Sequence, residues 1–178
     1  MQEAIRAFIA IHLPQDVKDY LRALTTDLAG QVPRGAVRWV KPDRMHLTLR
    51  FIGETEKNLL PELGRALDDV AARHQQFTLH LQGFGCFPNC KRPRVLWAGV
   101  GGELETAGRL KADLDAALVP LGWEAENRPF RPHLTTGRVK DSRKVSGQRW
   151  PDELKSLPIP AVAIHLIESE LTPSGPIY

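Results

Sequence analysis

Met45-His46-Leu47-Thr48-Leu49-Arg50-Phe51-Ile52 is an apolar stretch of strand character. Side chains of a strand alternate between its two faces, so His46 and Thr48 share one face and Leu47 points to the other. The same tripeptide returns half a chain length later as His133-Leu134-Thr135, again in a strand-like run. Two such faces brought together would form a cleft holding two imidazoles and two hydroxyls. Imidazole titrates near neutral pH, so the pair can supply one general acid and one general base. Threonine hydroxyls can hold the non-bridging oxygens of a phosphate. Together these groups suffice to open a phosphodiester without a metal. The competing reading is a pair of sheet histidines with threonine present for β-propensity. It is the better one for a single copy, whereas the duplicate with its identical central leucine favours a site.

Working outward, Ile5 to Ile11 reads as a buried strand ended by Pro14. Val17, Leu21, Leu24 and Leu28 have helical spacing, with Pro14 suited to the first turn and Gly30 to the end. Val37–Val40 and Met45–Ile52 are expected strands around a Lys41-Pro42-Asp43 turn. Leu59, Leu63, Leu67 and Val70 mark a second helix. Phe77–Phe84 and Arg94–Val100 are strands flanking a loop over Gly83–Pro93. Leu104, Leu110, Leu114 and Leu118 are read as the inward face of a third helix, from Leu104 to Leu121. Phe130–Val139 is a strand, Asp141–Trp150 a turn or two of helix, and Val162–Leu171 the last clear strand. An apolar strand and a helix precede each His-Leu-Thr strand. The expected class is therefore α+β. Two pseudo-symmetric lobes, built mainly of antiparallel sheet with helices outside, line a central cleft.

A chain of 178 residues with 42% hydrophobic and 25% charged residues suits one soluble bilobal domain spanning 1–178. No apolar run is long enough to span a membrane. The N-terminus lacks the basic start and apolar stretch of a signal peptide, so a cytoplasmic protein is expected. With no heptads and no large exposed apolar stretch, a monomer is expected. Cys86 and Cys90 have no partner pair at zinc spacing. They read as structural thiols in a loop, able to close a local disulfide if the source is thermophilic. Net charge is only +3, but Arg128, Arg131, Arg138, Lys140, Arg143, Lys144 and Arg149 face a single acid, Asp141, between 128 and 149. Lys91-Arg92-Pro93-Arg94 is a second basic knot. Either alone is an ordinary solvated surface; beside the second His-Leu-Thr they point to RNA or a nucleotide.

Three segments together carry a resemblance: Met45-His46-Leu47-Thr48-Leu49-Arg50-Phe51-Ile52-Gly53, Arg92-Pro93-Arg94-Val95-Leu96-Trp97-Ala98-Gly99 and Arg128-Pro129-Phe130-Arg131-Pro132-His133-Leu134-Thr135. The chain resembles the RNA 2′,3′-cyclic phosphodiesterases, long called 2′-5′ RNA ligases, of the two-histidine phosphoesterase superfamily with its paired HxTx motifs. The resemblance implies a bilobal fold and hydrolysis of a terminal 2′,3′-cyclic phosphate to a 2′-phosphate, with reverse ligation as a further activity. It implies RNA ends or cyclic nucleotides as partners, with no metal and no cofactor. By resemblance, His46 matches the proton donor to the departing 3′ oxygen and His133 the base that activates water. Thr48 and Thr135 match the phosphate holders. Two departures stand out. Thr136 occupies a place where an aliphatic residue is common, and the chain stops at Tyr178, where relatives usually continue.

Strand parity adds Arg131 on the face of His133 and Thr135, provided Pro132 leaves the strand intact, as a bidentate phosphate or ribose ligand. Arg50 shares parity with His46 and Thr48 and is a weaker candidate. Phe51 falls on the opposite face and is expected to be buried, although its end-of-strand position leaves base stacking open. Trp97 is expected in the core. His12, His74, His80 and His165 are expected to be structural. No Gly-rich lysine loop calls for ATP. Two other readings remain at this level: a non-catalytic RNA or nucleotide binder on the same fold, and a metallohydrolase. Intact paired histidines argue against the first, and missing carboxylates against the second.

Overall fold

The computed structural model describes residues 3–126, 128–172 and 175–178. Strand β1 (Ala4–His12) runs straight into helix α1 (Gln15–Gln31), with Pro14 as its extended N-cap. Proline suits this boundary because its missing N–H is not needed there. A short β2 (Val37–Trp39) and one 3-10 turn at Pro42–Arg44 lead into β3 (His46–Glu56). Helix α2 (Leu60–Ala71), β4 (Phe77–Phe87), β5 (Val95–Gly102) and helix α3 (Leu104–Leu118) follow, and β6 (His133–Val139) carries the second His-Leu-Thr.

The strands form a three-stranded sheet ordered β3-β1-β8, with β8 at His165–Glu168, and a five-stranded sheet ordered β2-β6-β5-β4-β7, with β7 at Pro158–Ala161. All described pairings are antiparallel. One apolar core lies beneath both sheets. Ile9, Leu47 and Leu49 from the first sheet meet Leu79, Ala98 and Leu134 from the second. Leu21 of α1, Leu63 and Leu67 of α2 and Leu110 and Leu114 of α3 close it from outside. Burying such side chains contributes about 1.5–3 kcal/mol each, opposed by the entropy of ordering the chain. The expected α+β architecture of two antiparallel sheets with helices outside is what the chain adopts, and in each half the His-Leu-Thr strand pairs with the strand before its helix.

Three expectations fail locally. Leu104 is 42% exposed, because it is the first residue of α3 and lies one turn before the buried row of Ala107, Leu110, Lys111, Leu114 and Leu118 begins. The stretch 85–87, expected only as loop, continues β4 to Phe87, and a disulfide joins Cys86 to Cys90. Finally, Val162–Leu171, expected as one strand, is not one, and an unexpected strand precedes it over 158–161. The expected strand breaks into β8 and β9 (Glu170–Thr172), β9 pairs with β10 (Gly175–Ile177), and the unexpected one is β7. Prolines hide β7 from pattern reading, yet they are tolerated at a sheet edge, where only one side of the strand needs donors. Pro158 and Pro160 face out while Ile159 and Ala161 are buried against β4.

Each His-Leu-Thr strand slips by one residue just after its threonine. In the β1–β3 ladder Ala10 pairs with Thr48 and Ile9 with Arg50, so Leu49 is the extra residue. In the β5–β6 ladder Trp97 pairs with Thr135 and Leu96 with Gly137, so Thr136 is the extra residue. A bulge of this kind reverses the face of the residues that follow it, in β3 as far as a second slip at Ile52. Both extra side chains point into the core. Leucine suits that place. The Thr136 hydroxyl, fully buried, finds no hydrogen-bond partner among the described residues. Replacing Thr136 with valine is therefore expected to stabilise the protein by about 1 kcal/mol, raising the melting temperature by about 2–4 °C. An unchanged or lower melting temperature would show that the hydroxyl is satisfied.

Candidate active site

His46 and His133 open their strands, and in both the residue two positions upstream is arginine. The His133 Nδ1 lies 2.7 Å from the Arg131 carbonyl oxygen. The His46 ring makes the corresponding hydrogen bond to the Arg44 backbone. A ring nitrogen facing a carbonyl must carry its proton, so Nδ1 of His133 donates and Nε2 is left for chemistry. The repeated Arg-x-His spacing is the sequence signal for this anchor.

With Leu47 and Leu134 fully buried on the core side, His46, Thr48, His133 and Thr135 take the opposite faces of the two sheets, and all four are half-buried. Strands β3 and β6 lie in contact. Tyr178 joins the halves. Its ring stands edge-on to His46 at 4.8 Å, and its hydroxyl lies within electrostatic reach of Arg138 on β6 and of Arg44 and Arg6. Burial keeps its phenol above the ordinary tyrosine range, against the pull of these arginines, so it stays a neutral donor.

Aromatic rings flank each histidine. Phe8 stacks on His46 at 4.4 Å. Phe87 meets His133 edge-on at 5.1 Å, with Trp97 at 6.3 Å. Trp97, expected in the core, is opposite Thr135 and so lies on the cleft face. Its ring occupies the space over Gly85, where a Cβ would fall 2.2 Å from it. Phe51, expected to be buried, is 67% exposed and pairs with Phe8 on the cleft face, because the bulge at Leu49 reverses its parity.

The same bulge sends Arg50 the other way. It is 8% exposed, on the core side, where its guanidinium contacts Glu126 at 3.1 Å, the Glu124 carbonyl at 2.5 Å and Asp115 at 3.5 Å. It is a structural cation and no part of the cleft. In the second half, the bulge at Thr136 turns Arg138 onto the cleft face beside Trp97, opposite Arg38 of β2. Strand parity read from His133 misses Arg138. Arg131 precedes β6, so the parity argument for it does not apply. Its carbonyl holds His133 and its side chain is exposed. Among the other histidines, His74 is satisfied by Asp113 at 2.7 Å. His12 and His165, expected to be structural, instead line a pocket with His46.

Burial, and secondarily the neighbouring His12, push His46 down to about 4. The unfolded chain then binds a proton that the fold refuses between about pH 6.5 and 4. Stability is complete above 6.5 and falls by roughly 3 kcal/mol as pH drops through that window. His46→Asn is expected to flatten this acid loss, with melting temperatures converging towards or crossing the wild type's at pH 4.5. Parallel curves for both proteins would show that His46 is not the group responsible.

No helix is long and apolar enough to cross a membrane among the described residues. Among the same residues, no three His, Cys, Asp or Glu side chains converge to hold a metal ion.

The family model described as LigT like Phosphoesterase matches residues 11–97 and 102–178. An RNA 2′,3′-cyclic phosphodiesterase of Methanothermobacter thermautotrophicus is 33% identical, covering 98% of this chain and 95% of its own. One from Thermus thermophilus is 34% identical, covering 98% and 86%. Among solved structures, a Thermus thermophilus protein superposes with a TM-score of 0.84 at 32% identity, over 98% of this chain and 93% of its own. The E. coli LigT complexed with 3′-AMP superposes at 0.74 with 28% identity, over 99% and 94%. With both His-Leu-Thr copies on cleft faces and the match running through both halves, the chain belongs to the LigT-like phosphoesterase family.

Proposed function

We propose that this protein hydrolyses the 2′,3′-cyclic phosphate at an RNA end to a 2′-phosphomonoester, by two-histidine acid–base catalysis that needs no metal. The observation that carries this reading is the matched pair of imidazoles. Each opens a cleft-facing strand, is anchored by the backbone two residues upstream, and has a threonine on its own face.

His133, with Nδ1 donating to Arg131, presents Nε2 as the base that takes a proton from the attacking water. The water oxygen bonds to phosphorus, the bond from phosphorus to the 3′ oxygen breaks, and His46 gives that oxygen its proton. Thr48, Thr135, Arg131 and Arg138 hold the non-bridging oxygens. Burial leaves His46 neutral in the free protein at pH 7, so the substrate's own negative charge supplies the field that returns a proton to it. A 5′-hydroxyl in place of water gives a 2′-5′ linkage by the same steps, so the proposal extends to 2′-5′ ligation. Both halves of the site come from one chain, so residues 1–178 act as one catalytic unit, with no second copy required.

The test is turnover of an RNA oligonucleotide ending in a 2′,3′-cyclic phosphate, with EDTA present. The expected product is a 2′-phosphate. A 3′-phosphate would reverse the scissile bond and the assigned proton donor. Binding without turnover would make the chain a binding module.

A further inference from the structure

His12 and His165 are not needed for the steps above, yet they sit beside them. His12 pairs across the ladder with His46, and His165 lies opposite Ala10, the residue that also pairs with Thr48. The His12 and His165 rings are stacked face to face, with centroids 3.8 Å apart and planes 4° from parallel. Among the described residues neither ring has a hydrogen-bond partner, so both keep their donors for something else. They line a pocket of about 440 Å³ together with Lys18, His46 and Tyr178. Two carboxylates also border it. Asp43 is engaged by Arg22 at 3.3 Å, and Glu168 is exposed at the rim.

Building on the cyclic phosphodiesterase reading, we propose that His12, His165 and Lys18 form a subsite for the phosphate on the 5′ side of the terminal nucleotide. Cross-strand neighbours stand about 5 Å apart, which places this cluster one short step from the imidazole that serves the cyclic phosphate. The next anion along an RNA chain is that 5′ phosphate. Two stacked imidazoles repel when both are protonated, and an anion bridging them removes that repulsion. Burial, His165 and Lys18 together lower His12, in keeping with a cationic cluster that lacks its counter-ion. The groups facing the stack are His46, Lys18, Tyr178, Asp43 and Glu168, of which His46 is held neutral down to about pH 4, so the pH response comes from protons that a bound phosphate draws onto the stack. The subsite therefore strengthens as pH falls.

The experiment compares binding of 3′-AMP and adenosine 3′,5′-bisphosphate at pH 6 and pH 8, for the wild type and for a His12→Gln/His165→Gln double variant. Charge-assisted hydrogen bonds of this kind correspond to about a tenfold preference or more. The wild type is expected to favour the bisphosphate by at least that ratio at pH 6 and by less at pH 8, with the ratio collapsing towards one in the double variant. Equal binding by the wild type, or a ratio that survives in the double variant, overturns the subsite. If the double variant does not fold, the wild-type ratio and its pH dependence decide alone. Turnover of adenosine 2′,3′-cyclic phosphate is measured in parallel. A bisphosphate preference without that turnover keeps the anion subsite and rejects the phosphodiesterase reading.

Discussion

Replacing either His46 or His133 with alanine is expected to lower turnover of a 2′,3′-cyclic phosphate by about 10²- to 10⁴-fold, the usual scale of one positioned acid or base. The two replacements together should cost far less than the product of the single effects, because a step lacking one proton transfer gains little from the other. Both rings face the cleft and both middle leucines face the core, so the variants should remain folded at neutral pH. His80→Ala, which alters neither cleft imidazole, is the control and should change turnover little. The wild-type rate should be bell-shaped in pH, since one imidazole must be charged and the other neutral. Steady-state kinetics of the wild type and these variants, with circular dichroism as the folding check, tests this. A flat profile from pH 5 to 9 in the chemical step, or a His133→Ala variant with near wild-type turnover, would remove the acid–base pair.

Arg50→Met should be the most damaging single change to stability outside the apolar core. The guanidinium is buried and ties three places together: Asp115 on α3, the Glu124 carbonyl and Glu126. Removing one member of a buried charge cluster leaves its partners desolvated, at a cost of about 3–5 kcal/mol. Lys111 still contacts Asp115, which argues for the lower end of that range. For a chain of this size the loss corresponds to a fall in melting temperature of about 10 °C. The segment held at Glu124 and Glu126 leads to the strand that opens with His133, so turnover should also decline in protein that is still folded. Thermal unfolding is the measurement. A loss below about 1 kcal/mol would mean that the cluster is hydrated and contributes no more than a surface ion pair.

Much of this site is legible without coordinates. Period-two alternation puts His46 with Thr48 and His133 with Thr135, and the leucine between them needs a core. Helical spacing places α1, α2 and most of α3. The residues that sequence reading misjudges are those whose side depends on a neighbour. Parity puts Arg50 and Phe51 on the wrong faces and overlooks Arg138 as a cleft residue. All three lie just beyond a bulge. Trp97 goes to the core when judged by the hydrophobicity of its own strand, while its position is set by Thr135 across the ladder and by the room above Gly85.

The division has a physical cause. Chemistry that rests on the order of residues along one strand, such as His and Thr two apart or Arg two before His, follows from backbone geometry and is local. The facing of residues beyond Thr48 and Thr135 is a property of two strands in register. Where Leu49 and Thr136 are squeezed out of their ladders, pairing decides which side chains reach the cleft. The amino-acid order alone determined the histidine pair and the class of fold. Only the tertiary structure decided that Phe51 and Arg138 face the cleft, that Arg50 braces the core, and that His12 and His165 meet beside His46.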